Sequence, residues 1–517
     1  MMPADKNRTT LFVSAGIFAS VAGLLTVIHG HRLVLDAIDE GIVLDSAQRM
    51  AGGAVPYVDF FAYMSPGGYW IQSLVFQLFG ISLFTGRIPM IFEVALQCGL
   101  VFWLTSRLAS RKAGAVAAFL FTGFEIANAG NLIGQHRWDS SALALGALCL
   151  MLAGLERPRP AVWWLGGGVA MGMAAWCTPS MAIPIGAVFL WACARKEHRC
   201  LVIPFAAGIG IIGLAGVGIL AAQGALGAFL KHLAWLKTNY SVVNVMPYGA
   251  VNGGMADLLK GAQGMERAML LVIVTFMELP AILPVLAVAL WLLVWKLGRI
   301  NKEERGVIAL LLLLMIALIA TAYPRPDVAH LVFVAAIPYV LTVAAIARLI
   351  PSSAGIWVSV VPCLFSLMFG GTLVREWMDS RTMPSPVGPL QVSRRHVDAM
   401  QDLLSTVHPG QGLYVHPYMP VYYFLTQGRN PTRFCYLAPG MMTVNEELET
   451  LEGLKANPPQ WVLYLQLSRE AFLRVFPSGA GVDNRYRTLE QWLEQNYKPL
   501  DDKKVNVMGY ELWQRRN

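Results

Sequence analysis

The sequence predicts a polytopic α-helical membrane protein that ends in a small α/β domain, and three observations predict it. Only 14% of the 517 residues are charged, while 56% are hydrophobic. A soluble globular chain carries about 25% charged residues, so a water-facing surface of ordinary size cannot be covered. Several runs stay apolar over the roughly 18 residues that suffice to cross a bilayer. They include LFVSAGIFASVAGLLTVI (11–28), LVIPFAAGIGIIGLAGVGIL (201–220), GVIALLLLLMIALIA (306–320) and LVFVAAIPYVLTVAAIA (331–347). After residue 375 the composition changes: Pro384, Pro386 and Pro389 make a linker, and charged residues become frequent.

Spans are placed near 10–30, 87–107, 112–129, 140–155, 161–177, 180–194, 201–222, 269–295, 306–322, 328–348 and 353–374, about eleven in all. Basic residues collect in cytoplasmic loops, and alternate connections obey this. With Lys6 and Arg8 inside, the next inside connections hold Arg107, Arg111 and Lys112, then Arg157 and Arg159. Arg195, Lys196 and Arg199 follow, then Lys296, Arg299, Lys302 and Arg305, then Arg348. The first apolar run is too long for a signal peptide and lacks a small-x-small cleavage site, so it is an uncleaved span. The expected topology is a cytoplasmic N-terminus in the plasma (inner) membrane, a membrane domain over 1–374 and an external α/β domain over 375–517. The same asymmetry accounts for the net charge of +8 and the pI near 9.1, and no basic module for nucleic acid is present. Seven cysteines are scattered without metal-type spacing, most of them in or beside apolar runs. They read as small packing residues rather than a disulfide framework.

Two external connections are long. Residues 31–86 are rich in acid (Asp36, Asp39, Glu40, Asp45, Asp59), and 223–268 carries an amphipathic helix around Ala225–Lys237. The topology requires 68–84 to lie along the outer surface, and its short, aromatic, glycine-interrupted sequence suits an interfacial helix. In the tail, GLYVHPY, QWVLYLQL and VNVMGYELW read as strands, while SRRHVDAMQDLLSTV and VNEELETLEGLKA read as helices.

Candidate chemistry lies in the external loops. AIDEGIVLDSAQRMAGG (37–53) is a helix closed by Gly52, Gly53 and Pro56. Adjacent Asp39 and Glu40 point roughly 100° apart on it, so they cannot share one proton. One faces a reaction and the other orients a hydroxyl or the loop, or both simply suit the positive helix start. VPYVDFFAYMSPGGYW (55–70), with Tyr63 among its aromatics, suits an interfacial belt or a platform for a sugar ring. In GNLIGQHRWDSS (130–141), Arg137 offers a planar fork fit for phosphate, Trp138 an interfacial anchor, and Asp139 an N-cap or a ligand contact. In TAYPRPDVAHLVF (321–333), two prolines expose Arg325, Asp327 and His330. Asp327 is an N-cap with His330 one turn in, or the three form a polar group that is costly near lipid without a ligand. Glu93, inside the second span, is a further intramembrane carboxyl.

An Asp-Glu pair early in the first external loop, an aromatic stretch ending in Pro and YW, and a span closing in the basic turn SRLASRK together resemble a known group. It is the protein O-mannosyltransferase and lipid A aminoarabinose transferase group of GT-C glycosyltransferases. The resemblance covers roughly residues 10–200, the central spans loosely and the tail hardly at all. It implies a surface-lying helix after the first loop, as at 68–84, and an Asp at the start of the fourth span, as at Asp139. Aminoarabinose transferases carry a basic residue just before the loop proline, where this chain has Met64-Ser65-Pro66, so Arg137, Arg325 or His330 must neutralise phosphate instead. The implied activity is inverting sugar transfer from a polyprenyl-phosphate donor to a hydroxyl of a lipid, glycan or protein acceptor. Asp39 is the general base, Glu40 assists it, and Arg137, Asp139, Arg325, Asp327, His330 and Tyr63 contact substrate. No DxD motif is present, and no metal or other cofactor is assigned. The alternatives are a polytopic transporter, although no internal repeat is visible, and a polysaccharide polymerase or ligase.

Overall fold

The computed structural model describes residues 4–35, 37–127, 129–250, 259–350, 352–500 and 506–516. Asp36, part of the second external loop (251–258) and the start of the last predicted strand (Val505) therefore lie outside the described residues. The chain is mostly helical. It opens with α1 (Ala4–His29), α2 (Ile38–Ala51), α3 (Pro66–Phe79), α4 (Leu83–Leu108), α5 (Arg111–Ala127) and α6 (His136–Gly154). It continues through α7 (Pro160–Cys177), α8 (Ala182–Ala194), α9 (Val202–Ala222) and α10 (Leu226–Asn239). The bundle closes with α11 (Gly264–Met277), α12 (Leu279–Lys296), α13 (Lys302–Ala320), α14 (Val328–Leu331), α15 (Ala336–Leu349) and α16 (Ser352–Met378).

Among the described residues, α1, α4, α12 and the helical stretch Lys196–Ala222 are long and apolar enough to cross a membrane, and the pair α14–α15, bent by 70°, would make a fifth. Their outer faces expose large apolar side chains such as Phe12, Ile203, Leu214 and Val285, as lipid-facing helices do. The remaining predicted spans are helices at the expected places, with two corrections. The stretch 269–295 is two helices, because the chain breaks at Glu278 and restarts with Pro280 in the first turn of α12, where proline lacks no needed N–H. The stretch 328–348 is likewise broken, by the 3-10 turn Val332–Val334, and α15 restarts with Pro338 in its first turn.

The tail holds β1 (Ser380–Met383), β2 (Leu390–Ser393), α17 (Val397–Thr406), β3 (Leu413–His416), α18 (Val421–Thr426), α19 (Val444–Ala456), β4 (Trp461–Tyr464) and α20 (Arg469–Val475). It ends with α21 (Arg487–Asn496), β5 (Tyr497–Pro499), β6 (Asn506–Val507) and β7 (Tyr510–Arg515). β3 and β4 are parallel; β7 pairs antiparallel with β4, β5 and β6. The predicted proline linker is a correction: β1 and β2 form an antiparallel hairpin seated on the first loop. Leu33 N–H donates to Gln391 O at 2.8 Å, Gln391 N–H to His31 O at 2.7 Å, and Leu83 N–H to Val387 O at 3.0 Å.

The tail and the first loop share one apolar core, separate from that of the bundle. α2 lies against α18 so closely that a Cβ on Gly41 would stand 2.2 Å from Val421 N, so glycine alone fits there. Gln48 and Gln427 exchange side-chain hydrogen bonds of 3.0 and 2.8 Å across the same contact. The aromatic run 57–69 is not an exposed belt. Tyr57, Phe60 and Tyr69 are buried, and the half-buried Phe61 packs on His232, Trp235 and Phe434. α3 ends at Gly80 (φ +83), four residues before the expected end of the surface helix. It buries Tyr69, Gln72 and Phe76 while exposing Leu74, Leu78 and Phe79, the two-faced pattern of a helix lying on a surface.

Candidate active site

The site is assembled around the turn between α5 and α6. α2 presents its two adjacent acids to this turn in different directions. Asp39, half-buried, accepts from Gln135 Nε2 at 2.5 Å. Glu40 is fully buried, accepts from Gly134 N–H at 3.0 Å and is paired with Arg87, whose Nη2 donates to Oε2 at 2.8 Å and whose Nε lies 2.5 Å from Oε1. The same guanidinium donates to Leu132 O at 2.5 Å and Arg32 O at 3.2 Å and touches His29. One buried cation therefore ties together the end of α1, the first loop, α2, α4 and the α5–α6 turn. Burial pushes the Glu40 carboxyl upward, while the Arg87 charge and the Gly134 N–H pull it down. Glu40 thus holds the turn, whereas Asp39 stays half-buried and unpaired with any cation among the described residues. Arg87 opens the second expected span (87–107) and had no role assigned to it from the sequence. A lone arginine at the start of an apolar helix, one loop away from an acid pair, was the available signal.

On the other side of the turn α6 begins at His136. Its N-cap is Gln135 rather than Asp139, which lies inside the first turn and is buried; the capping reading of Asp139 is therefore corrected. The Asp139 carboxyl is hydrogen-bonded to that of Glu93 on α4, so the intramembrane carboxyl flagged in the sequence joins the site. A Cβ on Gly68 of α3 would stand 3.0 Å from Asp139 Oδ2, which is how α3 closes this end. His136 Nδ1 lies 2.9 Å from Thr178 Oγ1, which donates to Ser140 Oγ at 3.0 Å. Trp138 is no interfacial anchor: it is buried, donates to Asn131 O at 2.8 Å and meets Phe333 edge-on.

The third contribution comes from α14. Asp327 caps this helix by accepting from His330 N–H at 3.0 Å, as one sequence reading held. It also binds His330 Nδ1 at 2.5 Å and Arg325 Nε at 2.9 Å, so the cap and the polar group are the same object. Burial works to raise the Asp327 carboxyl, but His330 and Arg325 outweigh it and hold the group below its ordinary value. Arg325 further donates to Asn244 Oδ1 and to Val475 O of the tail, both at 3.0 Å, and stacks over Phe476.

Arg137 is half-buried and has no carboxylate partner among the described residues; its hydrogen bond is to Tyr240. Its charge also acts on His136 and His330. Tyr63 packs on Tyr240 and Tyr436, and its hydroxyl meets Met441 Sδ at 3.4 Å. Met64 and Ser65, which stand just before the loop proline, are both buried. Asp39, Tyr63, Arg137 and Arg325 are thus gathered around Tyr240, Asp327 and His330 join them through Arg325, Glu40 turns away to Arg87, and Asp139 pairs instead with Glu93. Among the described residues, no group of three or more His, Cys, Asp and Glu side chains is arranged to hold a metal ion.

Residues 64–220 match the family model described as dolichyl-phosphate-mannose-protein mannosyltransferase. That segment carries Glu93, Arg137 and Asp139, and leaves Asp39 and the 325–330 group outside it. The whole chain is similar to the crystal structure of ArnT from Cupriavidus metallidurans bound to undecaprenyl phosphate, with a TM-score of 0.53 at 14% identity over 96% of this chain and 97% of that one. The fold is GT-C. The chain is also similar to the Archaeoglobus fulgidus oligosaccharyltransferase in its apo form, with a TM-score of 0.51 at 12% identity over 89% of this chain and 69% of that one. No curated protein matches the sequence. The resemblance drawn from residues 10–200 is therefore met by the family match, which overlaps that range over 64–200, and by the fold of the whole.

Proposed function

We propose that this protein is an integral membrane glycosyltransferase that moves a sugar from a polyprenyl-phosphate donor to an acceptor hydroxyl on the non-cytoplasmic face. The observation that carries the reading is the pairing left undone. Asp39 and Arg137, both half-buried, lie beside Tyr240 and form no ion pair with each other or with any other described residue. A guanidinium in such a place is costly without an anion, and its planar fork fits a phosphate. On the eleven-span topology the region is external, where nucleotide sugars are not supplied, so the donor arrives with its own membrane anchor. The undecaprenyl phosphate named for the ArnT structure is an anchor of that class.

In the step itself the Asp39 carboxylate takes the proton from the acceptor hydroxyl. The acceptor oxygen bonds to the anomeric carbon from the face opposite the phosphate, and the carbon–oxygen bond to phosphate breaks with its electron pair leaving on the phosphate oxygen. Configuration inverts, and polyprenyl phosphate is released. That product is a stable anion and needs no proton; Arg137 and Arg325 stabilise its charge, and His330 positions Asp327 beside Arg325. Asp139, bonded to Glu93 and pressed by Gly68, shapes the floor.

The test is binding of undecaprenyl phosphate to the purified protein. Charge-assisted hydrogen bonds contribute about 1.5–3 kcal/mol, so Arg137→Ala should weaken binding by roughly ten- to a hundredfold while Asp39→Asn leaves it near wild type. Equal binding by wild type and Arg137→Ala would remove the phosphate from this site and return the transporter to consideration.

A further inference from the structure

Three tyrosines from three separate parts of the chain meet beside the candidate base and a candidate phosphate cation. Tyr63 belongs to the first loop, Tyr240 follows α10 in the second, and Tyr436 belongs to the tail. The Tyr63 ring meets Tyr436 nearly edge-on at 5.3 Å between centroids and Tyr240 at 6.5 Å. Asp39 and Arg325 both act electrostatically on all three phenols, so the cluster lies close to both the base and the cation.

The tail holds its member firmly. Leu437 N–H donates to Pro417 O at 3.1 Å, residues 418 and 436 form a bridge, and Tyr418 packs edge-on against Tyr436. Tyr63 is fixed through its carbonyl by His232 Nε2 at 3.2 Å. Its hydroxyl has only a thioether, a weak acceptor, and so keeps hydrogen-bonding capacity for a ligand.

We infer that Tyr63, Tyr240 and Tyr436 form the subsite for the transferred pyranose ring, and that the tail, through Tyr436, takes direct part in choosing the sugar. The argument rests on the donor reading above: with phosphate at Arg137 and Arg325 and the base at Asp39, the transferred ring must lie near both, as the three tyrosines do. Aromatic faces suit the apolar C–H face of a pyranose, and phenol hydroxyls suit its oxygens. Burial pushes the Tyr63 and Tyr240 hydroxyls above their ordinary value, so they remain protonated donors.

The experiment measures affinity of the full-length protein for decaprenyl phosphate and for decaprenyl-phosphate glucose, mannose and galactose. At least one sugar-bearing probe should bind the wild type about tenfold or more tightly than the bare phosphate. Tyr436→Ala should erase that margin and leave the bare phosphate unchanged, and Tyr436→Phe, which keeps the ring, should retain part of it. No margin in the wild type, or a margin that survives Tyr436→Ala, overturns the subsite. So does a Tyr436→Ala variant that keeps donor affinity but raises the acceptor KM, because the wall then serves the acceptor. Failure of bare decaprenyl phosphate to bind the wild type would instead count against the donor reading itself, and the two failures are thereby told apart.

Discussion

Asp39 and Glu40 are neighbours on α2, yet the centres they build are of opposite kinds. The Glu40 centre is closed: Glu40 and Arg87 both have side chains at 0% exposure, and Arg87 also serves two carbonyls and His29. The open centre has the same residue types, partly exposed and including an acid and a cation outside any ion pair among the described residues. Arg325 and His330 keep 14% and 18% of their side-chain exposure, and Asp39 and Arg137 stay out of ion pairs. A saturated polar network resists change and fixes geometry, whereas an unsaturated one has room for a ligand's charge. Two adjacent acids can therefore divide scaffold from chemistry, because a helix turns them roughly 100° apart.

The largest expected effect comes from opening the closed centre. Removing one partner of a buried ion pair costs about 3–5 kcal/mol, so Arg87→Ala should lower the thermal midpoint in detergent sharply. Asp39→Asn, which loses one hydrogen bond from Gln135, should cost about 1 kcal/mol or less. Equal losses in the two variants would dissolve the distinction. Arg137→Ala belongs between them: stability near wild type, with undecaprenyl phosphate affinity reduced as proposed above.

The smallest effect sharpens the comparison within the open centre. Asp327 is held below its ordinary value of 3.8, so its folded state binds a proton less readily than its unfolded state. The resulting stabilisation is fully present above the unfolded value and is lost as pH falls through the lowered folded value. Thermal midpoints measured from pH 6 down to pH 3 should therefore fall less steeply for Asp327→Asn than for the wild type. Parallel curves would mean that the Arg325–Asp327–His330 pairing contributes nothing.

Much of this was legible in the chain itself. Apolar runs long enough to cross a bilayer located the bundle helices, and the alternation in the tail located β3, β4 and β7. Charged side chains flanking helix breaks pointed to Arg137 and to the 325–330 group, because burying such residues without purpose is expensive. The parts that were hidden depend on contacts distant in sequence. Arg87 gains its meaning only when Glu40, Leu132 and Arg32 converge on it. Asp139 looked like a cap because its partner Glu93 lies on another helix. The prolines at 384–389 read as a linker because a short hairpin docked on residues 31–33 and 83 leaves no periodicity of its own. Tyr436 carried no signal at all, since an aromatic in a tail strand region is ordinarily core.

The central claim is that Asp39 is the base of a lipid-linked-sugar transferase. It is tested most directly by following release of label from polyprenyl-phosphate sugars with purified wild type beside Asp39→Asn. Wild type should turn over, and the variant should fall by about 10²–10⁴-fold, with undecaprenyl phosphate still bound by both. Turnover undiminished in Asp39→Asn would contradict it.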